Sequence, residues 1–253
     1  MHITPTHRAR RGWLARESGR HIFFEFAILV LFLNACDRRA ATPTTTAQAP
    51  AAGAQSPPAS LSMGGAKSVT RFFVTSRGLG HGGDLGGLAA ADAHCQALAK
   101  AEGSGDHTWR AYLSTTATKT APGVNARDRI GTGPWYNALG DRVAANLEEL
   151  HSGGSLTQEN AVTERGDPVN GDAAEILTGS RPDGTAFLLE EGDRTCGNWT
   201  SSSLGRAQVG RLGPTGQALD KGSWNSAHSS RGCSQKDLQA TGSGGLFYCF
   251  AID

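Results

Sequence analysis

Apolar positions along this 253-residue chain come in short runs between glycine-rich and polar stretches, and their spacing predicts few regular elements. Phe72-Phe73-Val74, flanked by Arg71 and Thr75, reads as a first strand closed by the glycine-rich turn 78–87. Leu88, Ala91, Cys95, Leu98 and Ala99 recur at helical spacing, which predicts an amphipathic helix over 88–101 with Cys95 turned inward. Gly103-Ser104-Gly105 stops it. Thr108–Ser114, with Trp109 and Tyr112, has the composition of a half-buried second strand. From Thr115 to Thr195 the chain is rich in Gly, Asn, Asp and Pro, and only short ordered pieces are expected. Short strands are expected again around Gly197–Thr200, Ala207–Arg211 and Leu246–Ala251. Mixed short strands, one or two helices and a long irregular loop region make an α+β domain.

The amino-terminal pattern is different. Arg8, Arg10, Arg11, Arg16 and Arg20 precede an apolar run from Phe26 to Leu33. A helix needs about 20 apolar residues to cross a hydrocarbon core of about 30 Å, so this run is too short to span it. The layout is that of a secretory signal. Leu33-Asn34-Ala35-Cys36 resembles the bacterial lipobox, which implies lipid attachment at Cys36 after removal of what precedes it. Residues 37–67 are then an Ala/Thr/Pro-rich spacer that cannot bury enough apolar surface to offset its ordering entropy. Residues 68–253 form the folded domain.

Charge changes the picture only once the signal is set aside. The whole chain carries 24 Lys+Arg and 23 Asp+Glu, a net charge of +1. Residues 1–36 hold five arginines and two glutamates, so 19 basic and 21 acidic side chains remain, a net of −2. No phosphate-neutralising surplus exists, and nucleic acid is not an expected partner. The 34 glycines, about twice the usual share, argue against a helical bundle. Cys95, Cys196, Cys233 and Cys249 remain beside Cys36, an even number in an exported protein, which favours two disulfides. No CxxC pair or Cys/His spacing supports a zinc site instead.

In this order the residues resemble the C-type lectin-like fold, in particular its endostatin branch. The glycine-led helix Gly86–Gln96, with Ala91-Asp92 before the first cysteine, and the strand Trp109-Arg110-Ala111-Tyr112-Leu113-Ser114 carry the likeness. So do Val124-Asn125-Ala126-Arg127-Asp128, Pro134-Trp135, Cys196-Gly197-Asn198-Trp199 and Leu246-Phe247-Tyr248-Cys249. The resemblance implies that Cys95 pairs with Cys249 and Cys196 with Cys233. It also implies lectin-like recognition of a carbohydrate or an extracellular protein, while the expected tie to the membrane is the lipid on Cys36 that the lipobox implies.

The calcium-dependent sugar site of that fold is not carried over. No Glu-Pro-Asn or Gln-Pro-Asp triplet is present, and Trp224-Asn225-Ser226 lacks the carboxylate of the Trp-Asn-Asp motif. Calcium takes six to eight oxygens, several of them anionic. No metal or cofactor is therefore expected, and endostatin's zinc and heparin sites have no counterpart either. Candidate ligand contacts are Trp199 and Trp224, which offer ring faces for a sugar, with Asn225 and His228 as polar neighbours. Glu190, Glu191 and Asp193 form an acidic cluster just before Cys196. Exposed Trp199 or Trp224 in a concave site favours carbohydrate; a broad apolar patch favours a protein.

Catalysis is not expected. The chain has no Gly-x-Ser-x-Gly elbow, no His-Glu-x-x-His and no phosphate loop. The expectation is a non-enzymatic, exported protein of the cell envelope, with a structural envelope lipoprotein or an unrecognised hydrolase as alternatives.

Overall fold

The computed structural model describes residues 67–152, 155–169, 174–213 and 223–253. The export segment, Cys36 and all of the spacer but Lys67 lie outside the described residues. The strands are β1 (Phe72–Val74), β2 (Trp109–Ala111), β3 (Trp135–Tyr136), β4 (Arg142–Ala144), β5 (Glu175–Leu177), β6 (Gln208–Arg211), β7 (His228–Ser229) and β8 (Tyr248–Ala251). Two helices matter below, α1 (Gly87–Ala101) and the short α2 (Leu147–His151). The chain is α+β, with small antiparallel sheets, few helices and two disulfides. No helix among the described residues is long and apolar enough to cross a membrane.

The last strand is the centre of the first sheet. β8 lies between β1 and β2, antiparallel to both, with Cys249 opposite Phe73 on one side and Ala111 on the other. Side chains alternate across a strand, so β8 feeds two cores. Tyr248 and Phe250 turn to the face shared with Phe72, Tyr112 and Trp135. Cys249 and Ala251 turn to the opposite face, where Ala91, Cys95 and Leu98 of α1 cover the sheet.

Seven alanines give α1 a strong local preference for helix. It begins after Gly86, held at φ 70°, and ends where Gly103, at φ 79°, takes the left-handed position that favours glycine. Two contacts fix it to the sheet. The disulfide Cys95–Cys249 joins it to β8 with a Cα–Cα distance of 5.6 Å. Buried Asp92 accepts hydrogen bonds from the Ala111 amide at 2.8 Å, from Arg110 Nη1 at 2.8 Å and from Arg129 Nη2 at 2.7 Å and 2.9 Å.

The long middle region is more ordered than its composition suggests. It holds the β3–β4 hairpin, α2, and β5, which starts the second three-stranded sheet β5-β6-β7. Each piece is only two to five residues long, and each delivers a buried anchor: Trp135, Leu150 and Ile176. The strand expected at Gly197–Thr200 is not there. Cys196–Trp199 forms a tight turn instead, because all four residues adopt positive φ, between 49° and 67°.

Candidate functional site

The residues expected to meet a ligand are mostly interior. Trp199 is fully buried and its indole N–H donates to the Ser114 carbonyl at 2.8 Å. Trp224 is 4% exposed, packed 4.9 Å from the Tyr112 ring, and donates to the Leu150 carbonyl at 3.1 Å. Neither ring presents a face to solvent, so neither performs the sugar stacking expected of it. Asn225 is also fully buried and donates to the Tyr112 hydroxyl at 2.8 Å. Only His228 keeps a substantial exposed part, with its Nε2 3.0 Å from Oε2 of the buried Glu175 carboxylate, which also pairs with the exposed Arg211. The structure thus brings Trp224 and Asn225 together around Tyr112, places Trp199 in the other core and leaves His228 on β7.

A different surface has the features of a site. It is built on the Cys196–Trp199 turn. Left-handed conformation costs a non-glycine residue about 1–2 kcal/mol, and here Cys196, Asn198 and Trp199 all adopt it. Four restraints hold it. Cys196 is tied to Cys233. Asp193 accepts from the Thr195 amide at 2.8 Å and from the Gly197 amide at 2.6 Å. Asn198 brackets the Thr116 backbone, accepting from its amide at 2.8 Å and donating to its carbonyl at 3.2 Å. The buried Trp199 ring anchors the end. Strain maintained by so many contacts is characteristic of positions with a functional constraint.

The turn floors a shallow cavity of about 220 Å³ between Thr116–Thr118 and Leu189. A second hollow of about 390 Å³ lies on the other side of Asp193, between Glu191 and Arg206. Around them stand the exposed apolar side chains Leu188 (52% exposed), Leu189 (53%) and, beside Gly205 of the second hollow, Leu204 (84%). The Phe187 ring is flanked by the guanidinium groups of Arg181 and Arg194, 5.4 Å and 5.6 Å from its centroid. Arg181 also pairs with Glu191, whose carboxylate accepts from the Leu188 amide at 2.7 Å. The face therefore combines exposed leucines with the charged side chains of Arg181, Glu191 and Arg194.

The acidic cluster does not converge on a cation. Asp193 is taken up by backbone amides and Glu191 by Arg181. Among the described residues no group of three or more His, Cys, Asp or Glu side chains is placed to hold a metal ion. Nor does any described histidine share a hydrogen bond with a serine hydroxyl: His94 and His107 meet backbone carbonyls, and His151 meets Tyr112.

Phe187, Leu188 and Leu189 were not among the sequence candidates. Their signal is three consecutive apolar residues, without helical or strand period, inside a polar loop-rich region. Comparison with known protein families gives no match, and a search of curated proteins finds no match either.

Proposed function

We propose that this chain is a non-catalytic, lipid-anchored protein of the cell envelope whose endostatin-type, C-type lectin-like domain recognises an extracellular protein through the Phe187–Arg194 and Leu204 face. The observation that carries the reading is the exposure of Leu188, Leu189 and Leu204 around a turn held rigidly by a disulfide and by Asp193. Exposed leucines on a pre-organised surface lose little entropy on association and gain from burial. Burial of Trp199 and Trp224 removes the aromatic platforms on which a sugar reading depended. Export is supported by two disulfides, which persist outside reducing compartments.

A glycan array probed with the oxidised domain, once with calcium and once with a chelator, tests the choice of ligand class. The expected result is no selective retention of any sugar class in either condition. Selective binding of one class, reproduced by titration in solution, would return carbohydrate to first place.

A further inference from the structure

His151 closes a hydrogen-bond chain that starts in the core at Asn225 and ends, part-buried, at the loop that carries the binding face. Its Nδ1 lies 2.8 Å from the Leu147 carbonyl, which only accepts, so Nδ1 carries the proton. In the neutral ring Nε2 is then an acceptor, and the Tyr112 hydroxyl, 2.8 Å away, donates to it. Asn225 Nδ2 donates in turn to the Tyr112 oxygen and reaches the carbonyls of Arg181 and Pro182 at 3.2 Å and 3.1 Å. The chain runs in one direction, from Asn225 through Tyr112 to His151.

The same turn, residues 181–184, is the lid of this network. Gly184 sits so close to His151 that a Cβ built on it would lie 2.4 Å from Nε2. Arg127 holds the lid from below, donating from Nη1 to the Asp183 carbonyl at 2.9 Å and from its amide to the Gly184 carbonyl at 3.2 Å. Arg181, at the start of the turn, is the residue that pairs with Glu191 and flanks Phe187 on the candidate face.

We propose that His151 is a pH-sensitive latch on the 181–184 turn, and that its protonation releases the turn and loosens the Phe187–Arg194 face. This regulation rests on the protein-binding reading of that face. A proton on Nε2 reverses the bond to Tyr112, whose own hydrogen must find another acceptor. It also places a cation near Arg127. The titratable and charged groups around the ring are Tyr112 after β2, Arg127, and Asp183 of the lid, and α2 itself also carries Glu148 and Glu149. Burial, opposed by the Leu147 carbonyl and by Asp183 and reinforced by Arg127, holds the histidine below its ordinary value. Burial also raises the Tyr112 phenol, which therefore stays protonated and able to donate.

The direction follows from linkage. The closed state binds the proton less readily than the open one, so the closed state is fully favoured above the ordinary histidine pKa of about 6.5 and loses ground as pH falls toward the depressed value. One proton allows the opening constant to rise by up to about tenfold for each pH unit in that window.

Hydrogen exchange of the full chain, disulfides intact and corrected for intrinsic pH dependence, reads this without any ligand. Protection of the Arg127 and Gly184 amides is expected to fall from pH 6.5 to 5, while the β8 amides of Tyr248–Ala251 stay constant. In the same chain the His151 ring, followed by NMR, is expected to titrate below about 6.5, in step with that loss. His151→Gln is expected to flatten the response. Constant protection, an equal loss in β8, or a ring that titrates at or above the ordinary value each overturns the latch. Release of the turn is measured without a partner, so its failure is distinct from failure of the binding reading.

Discussion

Replacing Cys95 and Cys249 together by alanine is expected to remove about 5 kcal/mol of stability in the chain-entropy treatment of a disulfide. The bond closes a loop with a sequence separation of 154, so its loss frees nearly the whole domain in the unfolded state. The Cys196–Cys233 bond spans a separation of 37, for which the same treatment gives about 4 kcal/mol. Domains of this kind are stable by only about 5–15 kcal/mol, so the first loss removes a large share of the total. Denaturant unfolding of the two double variants measures the order. The midpoint is expected to fall further for Cys95/Cys249, and the reverse order would contradict the placement of β8 as the strand on which both cores depend. The Cys196/Cys233 variant has a local consequence as well, because the left-handed turn loses one of its restraints.

Asp92→Ala is expected to cost about 3–5 kcal/mol, the range for breaking a buried ion pair by removing one partner. The side chain of Asp92 is 9% exposed and that of Arg129 is 12% exposed, so the abandoned guanidinium remains largely out of water. The Ala111 amide, also buried, loses its acceptor. Arg110, 43% exposed, makes the contrast: Arg110→Ala removes a solvent-screened partner and is expected to cost under about 1 kcal/mol. Thermal or denaturant unfolding of the two variants separates the cases. Equal losses would show that Arg129 is not held by Asp92 in solution.

The contrast between these residues explains what was legible in the sequence. α1 could be read because its buried positions, Ala91, Cys95, Leu98 and Ala99, repeat at helical spacing. β1 and β2 could be read from their aromatic runs. The pairing of the cysteines, by contrast, came from resemblance to a family, because four cysteines admit three connectivities. β5 was hidden because it opens on Glu175, whose burial depends on Arg211 and His228, distant in sequence. Trp199 and Trp224 were candidate ligand contacts because an aromatic ring among polar neighbours can stack on a sugar. The polar neighbours of Trp224 are buried too: Asn225 meets Tyr112, 113 residues earlier, and Ser226 meets Gln208. The Gly197–Thr200 segment looked extended because Trp and Thr favour strands, a preference that the disulfide, Asp193 and Asn198 override. For β5 and for Trp224 the deciding partner was a long-range polar contact, which leaves no local period.

Under the proposed function, the Phe187–Arg194 and Leu204 face meets a protein. The most direct measurement places a photo-crosslinking residue at Leu189 of the full chain in its native cell, with Leu139, 61% exposed on the β3–β4 turn, as the comparison site. A discrete protein adduct from position 189 and none from position 139 is the expected result. Adducts that are the same from both positions, or absent from both, would contradict the claim.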